Sequence, residues 1–302
     1  MKAKQLLGII MLMAVMVLTA CSGKAYEEYG KAMERNEQVE RGKMSVNVEV
    51  KSYYTEKQAQ SAEAVKAMES LQVDNQIAYE ADQVRSLTHV KMGEVGYDME
   101  YYGLQGENYL YMPLLGKYIH LEGEAMLGQS PMTYELISEI QSQWVGIFKK
   151  HLDIENTLKG KGLILETEEG QIKATEYTVN LSKETLNQMK DELSQAIALW
   201  SETKGLEDKK AIEEAFKQIE INELTYKGFV NRDGYVNRQE IEIGYSFKGK
   251  ETIFKGQRVK VIIEEWDFNA PQHLDEIKIP TASAVTMGAL ENQLVEKTNS
   301  QE

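Results

Sequence analysis

The residues best able to do chemistry in this chain are a single cysteine, four histidines and a few paired acids. In NRDGYVNRQE, Asn231, Asp233, Gly234 and Glu240 fall where a calcium loop of the D-x-[DN]-x-[DN]-G-x₅-E type has ligands and its glycine. The first ligand position, however, is Phe229, which has no carboxylate oxygen to give. The flanks, Thr225–Val230 and Tyr235–Ile243, alternate in polarity as strands do, so the segment reads as a hairpin turn. His89, His120, His151 and His273 are scattered without metal-ligand spacing. There is no G-x-S-x-G, Walker loop or G-x-G-x-x-G. Glu168-Glu169 and Glu264-Glu265 are neighbours in sequence, and neighbours on a strand point to opposite faces, so neither makes a glycosidase pair. The expectation is a chain with no catalytic residues, cofactor or metal, whose one reactive position is the thiol of Cys21.

The chain that carries these residues is 302 long, 42% apolar and 27% charged, with only four prolines, which excludes collagen and wholly disordered classes. A net charge of -14 argues against nucleic acid as a partner, because phosphates need a basic surface. One cysteine excludes a disulfide framework and a thiolate cluster.

Periodicity predicts a helix over 25–41 stopped by Gly42, then a strand in which Met44, Val46, Val48 and Val50 alternate with polar residues. A polar helix is expected over 56–70. Four strand segments lie between Ile77 and Leu121, with turns at Gly103, Gly106 and Leu115-Gly116-Lys117. Residues 131–152 switch to a helical period, with Pro131 at the start. A hairpin then turns at Glu169-Gly170, and Ser182 caps a helix whose edge is Leu186, Met189, Leu193, Ile197 and Trp200. A second helix covers 207–220 and strands fill 221–268. The whole reads as α+β: one domain, 25–280, with a long curved antiparallel sheet and amphipathic helices on its concave face. Residues 281–302 are a weakly patterned, mobile tail. Tyr97, Tyr101, Tyr102, Tyr109, Tyr111 and Tyr118 either line a ligand groove or pack across neighbouring strands.

The first twenty residues are an address. Lys2 and Lys4 precede an uncharged apolar run, Leu6–Leu18, too short for a comfortable bilayer span, and small residues follow it. Leu18-Thr19-Ala20-Cys21 resembles a bacterial lipobox at all four positions, which implies cleavage before Cys21 and diacylation of its thiol. Residues 1–20 are then a signal peptide and 21–24 a short acylated tether. Two acyl chains give the stable anchoring that one cannot. Cleavage takes two lysines from 34 and no acid from 48, leaving a body of net charge -16 that anionic headgroups repel, so acylation rather than surface electrostatics must hold it at the membrane.

The lipobox, KAMERNEQVERGKMSVNVEV, the strands around ENYLYMPLLGKYIHLEGE, the capped helix NLSKETLNQMKDELSQAIALW and the closing APQHLDEIKIP together resemble the LolA/LolB/LppX-like lipoprotein superfamily. That resemblance implies a half-open β-barrel with helices as a lid over an apolar cavity for lipidic cargo. It also implies an apolar tip, for which Met112-Pro113-Leu114-Leu115 is the candidate. The expected function is therefore that of a non-catalytic carrier or sensor, anchored to the extracytoplasmic face of a cell membrane through Cys21, that binds a lipidic or amphiphilic ligand. The alternative is a module with a filled core that docks a cell-envelope protein.

Overall fold

The computed structural model describes residues 23–54, 69–81, 83–121, 156–168, 170–204, 209–248 and 255–280, with single positions between 143 and 151 and between 284 and 289. Cys21, the helix expected over 56–70 (apart from its last two residues) and most of 131–152 lie outside the described residues. The described residues form one large sheet of 12 strands with helices packed on one face, so the α+β class holds.

Helix α1 (Gly23–Asn36) leads into β1 (Arg41–Tyr53). Strands β2 (Ser70–Glu80), β3 (Gln83–Met92), β4 (Val95–Leu104), β5 (Glu107–Met112) and β6 (Lys117–His120) form a meander. After β7 (Thr157–Thr167) and β8 (Gly170–Val179) come α2 (Lys183–Lys204) and α3 (Lys209–Lys217). Then β9 (Ile219–Asn231), β10 (Val236–Phe247), β11 (Gly256–Trp266) and the two-residue β12 (Val285–Thr286) complete the sheet. The strand order is β12-β6-β5-β4-β3-β2-β1-β11-β10-β9-β8-β7, so two meanders meet where β1 pairs with β11. Every pairing is antiparallel except β12 with β6, which is parallel and makes the sheet mixed. The sequence places 281–302 in a tail, and β12 falls inside it, where Val285 lies against Ile119.

The core lies between the helices and one face of β1 and β8–β11. Val48 and Val50 face Val261 and Val259 across the β1–β11 seam, in the alternation the sequence shows. Leu186, Met189, Leu193 and Ile197 of α2 are buried in the same cluster. The Ser182 hydroxyl accepts the Thr185 N–H at 3.0 Å, so the expected helix cap is present. From α1, Tyr29 is fully buried, shares a hydrogen bond with the Tyr226 hydroxyl, and lies over Gly228. A β-carbon on Gly228 would fall 2.5 Å from the Tyr29 ring carbons Cε2 and Cζ, so only glycine admits the helix at this depth.

Three local expectations need correction. The first helix stops at Asn36, not at Gly42, because the Asn36 side chain binds both the N–H and the C=O of Val236, each at 2.9 Å. Gly42 sits in β1, paired with Tyr79, where a β-carbon would fall 3.1 Å from the Tyr79 hydroxyl oxygen. The first of the four strand segments expected after Ile77, residues 77–87, is not one strand but a hairpin, turned at Ala81 with a positive φ of 53°. Gly103 is a strand residue closely packed on Val84 rather than a turn.

Candidate functional site

Strands β2, β3 and β4 extend the helix-bearing face of the sheet beyond the filled core. Register sets their side chains in three cross-strand rows: Val73–Val90–Tyr97, Asn75–Thr88–Met99 and Ile77–Ser86–Tyr101. Val90 and Ser86 are buried, Tyr97 is exposed, and the others are half-buried. Val73 and Met99 pack against the main core, so the strip continues it sideways. Ile147, one of the few described positions of the 131–152 segment, packs against the same cluster. In the middle of the strip, Asn75 Oδ1 accepts hydrogen bonds from Ser86 Oγ at 2.7 Å and Thr88 Oγ1 at 3.2 Å. A half-buried apolar strip with one fixed polar cluster suits an amphiphile, whose chain needs apolar cover and whose polar part needs a partner.

A second apolar feature lies at the end of the sheet where β1, β3, β5, β8 and β10 finish, called here the lower end. Leu114 and Leu115 occupy the β5–β6 turn, and Met92 and Val95 flank the β3–β4 turn. Leu114 is 84% exposed and Val95 69%. Tyr53, also exposed, closes β1 at this end, beside a surface cleft of about 440 Å³ floored partly by Gly244 and Gly256. Of these, the Leu114-Leu115 turn alone stands out in the sequence. Val95 and Met92 join it only because the meander returns the β3–β4 turn to the same end.

The remaining sequence candidates are kept apart. Cys21 lies outside the described residues, two positions before α1 begins. NRDGYVNRQE is the β9–β10 turn: Gly234 has a φ of 82°, and Asn231 Oδ1 accepts the Tyr235 N–H at 2.9 Å. Glu240 points along β10 to Arg238, 2.7 Å away, and not back into the turn. Each histidine meets a different carboxylate: His89 with Asp98, His120 with Glu107, His151 with Glu192 and His273 with Glu276. Among the described residues no group of three or more metal-ligating side chains converges. Tyr102, Tyr109, Tyr111 and Tyr118 share the face opposite the helices and pack across strands, with Tyr111 and Tyr118 ring centroids 4.6 Å apart. Tyr97 and Tyr101 alone face the strip.

The adjacent acids part to opposite faces. Glu264 accepts from Arg238 at 2.9 Å and from the Glu168 N–H at 3.2 Å on the face away from the helices. Glu265 lies beneath the end of α1, where Asn36 Nδ2 donates to it at 3.1 Å. Burial pushes the Glu265 carboxyl up to about 7, against a weaker opposing pull from that hydrogen bond. Burial, aided by the Glu265 charge, also raises the Tyr79 phenol to about 12.

No family model matches the chain, and no curated protein matches it. Among the described residues no helix is long and apolar enough to cross a membrane.

Proposed function

We propose that this chain is a membrane-anchored extracytoplasmic lipoprotein, held by an acylated Cys21, that binds a lipidic or amphiphilic ligand without catalysis. In this reading the sheet is a half-open barrel of the LolA/LolB/LppX-like kind, the helices cover its concave face, and the ligand lies along the strip on β2–β4. The observation that carries it is the half-buried apolar strip, continuous with the core and centred on the Asn75–Ser86–Thr88 cluster. Covering such side chains with an acyl chain yields ~25 cal/mol per Å² of apolar area removed from water.

The filled layer under α1, where Tyr29 and Tyr226 are both fully buried, favours a second reading as a protein-docking module. One experiment separates the two. The acylated chain is purified and titrated with a fluorescent fatty acid. Saturable binding that Met99→Lys weakens about tenfold or more supports the ligand reading, since the charge would have to be buried against the acyl chain. Absence of saturable binding would leave the docking module.

A further inference from the structure

The two edges of the sheet are finished differently. At one, β12 pairs with β6 and covers part of it. At the other, β7 has β8 on one side and, among the described residues, no strand on the other. A row of its backbone N–H and C=O groups therefore faces outward. Proteins commonly protect such an edge with lysines, prolines or bulges. Here a bulge between Lys159 and Gly162, with Lys159 and Lys161 around it, protects only the first part. From Gly162 to Thr167 the strand keeps unbroken register with β8 and carries neither lysine nor proline.

Along β7 the residue types change from basic to apolar to acidic. Lys159 and Lys161 come first, then Leu163, Ile164 and Leu165, then Glu166 and, just past the strand, Glu168. Ile164 lies on the helix-bearing face, the side of Tyr177, and is 59% exposed. Leu163 and Leu165 lie on the opposite face, in a small cluster with Ala174 and Phe229. Lys159 is held by Glu28. The side chains of Lys161 and Glu168, both exposed, have no ion pair or hydrogen bond among the described residues.

We infer that this edge joins a second copy of the chain, β7 pairing with β7 antiparallel about a two-fold axis at Ile164. Reversal sets the basic half of one strand beside the acidic half of the other, so the sequence is its own complement. In this register the two Ile164 side chains meet on the helix-bearing face. Each Leu163 lies opposite the second copy's Leu165 on the other face, and each Lys161 lies opposite its Thr167, beside its Glu168. Opposed residues of the regular stretch share a face throughout, as an antiparallel pair requires. The lysine–glutamate contacts decide the site, because a net charge of -14 makes two copies repel one another elsewhere. The axis stands perpendicular to the sheet, so both helix-bearing faces look the same way and the strip on β2–β4, far from this edge, stays uncovered. The pairing needs β7 alone and is independent of the ligand and of acylation at Cys21.

Photocrosslinking tests this without recourse to a thiol. The full-length chain with p-benzoylphenylalanine in place of Ile164 is irradiated in intact cells that express it. Leu199, as exposed as Ile164 but on α2, carries the probe in the control. The expected product at 164 has twice the mass of the chain and joins two β7 peptides in mass spectrometry, and no such product forms at 199. Lys161→Glu or Glu168→Lys, added singly to the 164 probe chain, should each lower its yield about threefold or more, and the two together should restore it. A yield at 164 no greater than at 199 overturns the inference. So does an adduct with a different protein alone, or a double variant as weak as either single one.

Discussion

Glu265 offers the sharpest test of the packing that holds α1 to the sheet. Its carboxyl titrates near 7 in the folded chain against 4.5 for an ordinary glutamate, because burial under α1 penalises the charge. The folded state therefore holds a proton at pH values where the unfolded state has lost it. Stability from this group is fully present below about 4.5 and is lost as the pH rises through about 7. At ~1.4 kcal/mol per pH unit the ceiling is about 3 kcal/mol, and the partial solvent access of Glu265 brings the expected effect to about 1–2 kcal/mol. Glu265→Gln keeps an oxygen for Asn36 Nδ2 and removes the charge. The variant should match the parent at pH 4 and melt about 3–6 °C higher at pH 8, read by circular dichroism at both pH values. An equal difference at pH 4 and pH 8, or a less stable variant at pH 8, would show that burial does not hold the Glu265 proton.

Two further substitutions probe the same architecture. Gly228→Ala should cost about 1–3 kcal/mol in urea unfolding through its clash with Tyr29, and Tyr29→Leu in the same chain should recover part of it. Additive losses would show that the two residues do not share the space. Arg238→Ala should cost about 3 kcal/mol, because it leaves the nearly buried Glu264 carboxylate without its cation, and Glu264→Gln in the same background should restore most of that.

Much of this fold is legible in the chain. The alternation of Met44 to Val50 and the apolar edge of α2 behind Ser182 correspond to physical periods that any reader can count. Other features depend on partners far away in sequence. Asn36 ends α1 through bonds to Val236, 200 residues on, and Ala81 turns a hairpin with no glycine to mark it. The parallel rung of β12 on β6 has two residues and no pattern at all.

The candidate site shows the same division. The Leu114-Leu115 turn stands out in the sequence, whereas Val95 and the strip on β2–β4 gain meaning only from strand register. Tyr97 and Tyr101 differ from Tyr102 in facing this strip, a distinction that depends on which side of β4 the helices lie. Adjacent glutamates 264 and 265 likewise acquire unlike environments from opposite faces of one strand, which alternation implies but composition does not.

The proposed function requires an amphiphile on the helix-bearing face of this sheet. Native mass spectrometry of the acylated chain released from membranes, followed by organic extraction, tests it most directly. A ligand carrier should release a near-stoichiometric apolar molecule, separable from the acyl groups on Cys21 and diminished in Met99→Lys. A chain that carries its own acyl groups and no other lipid, in parent and variant alike, would contradict it.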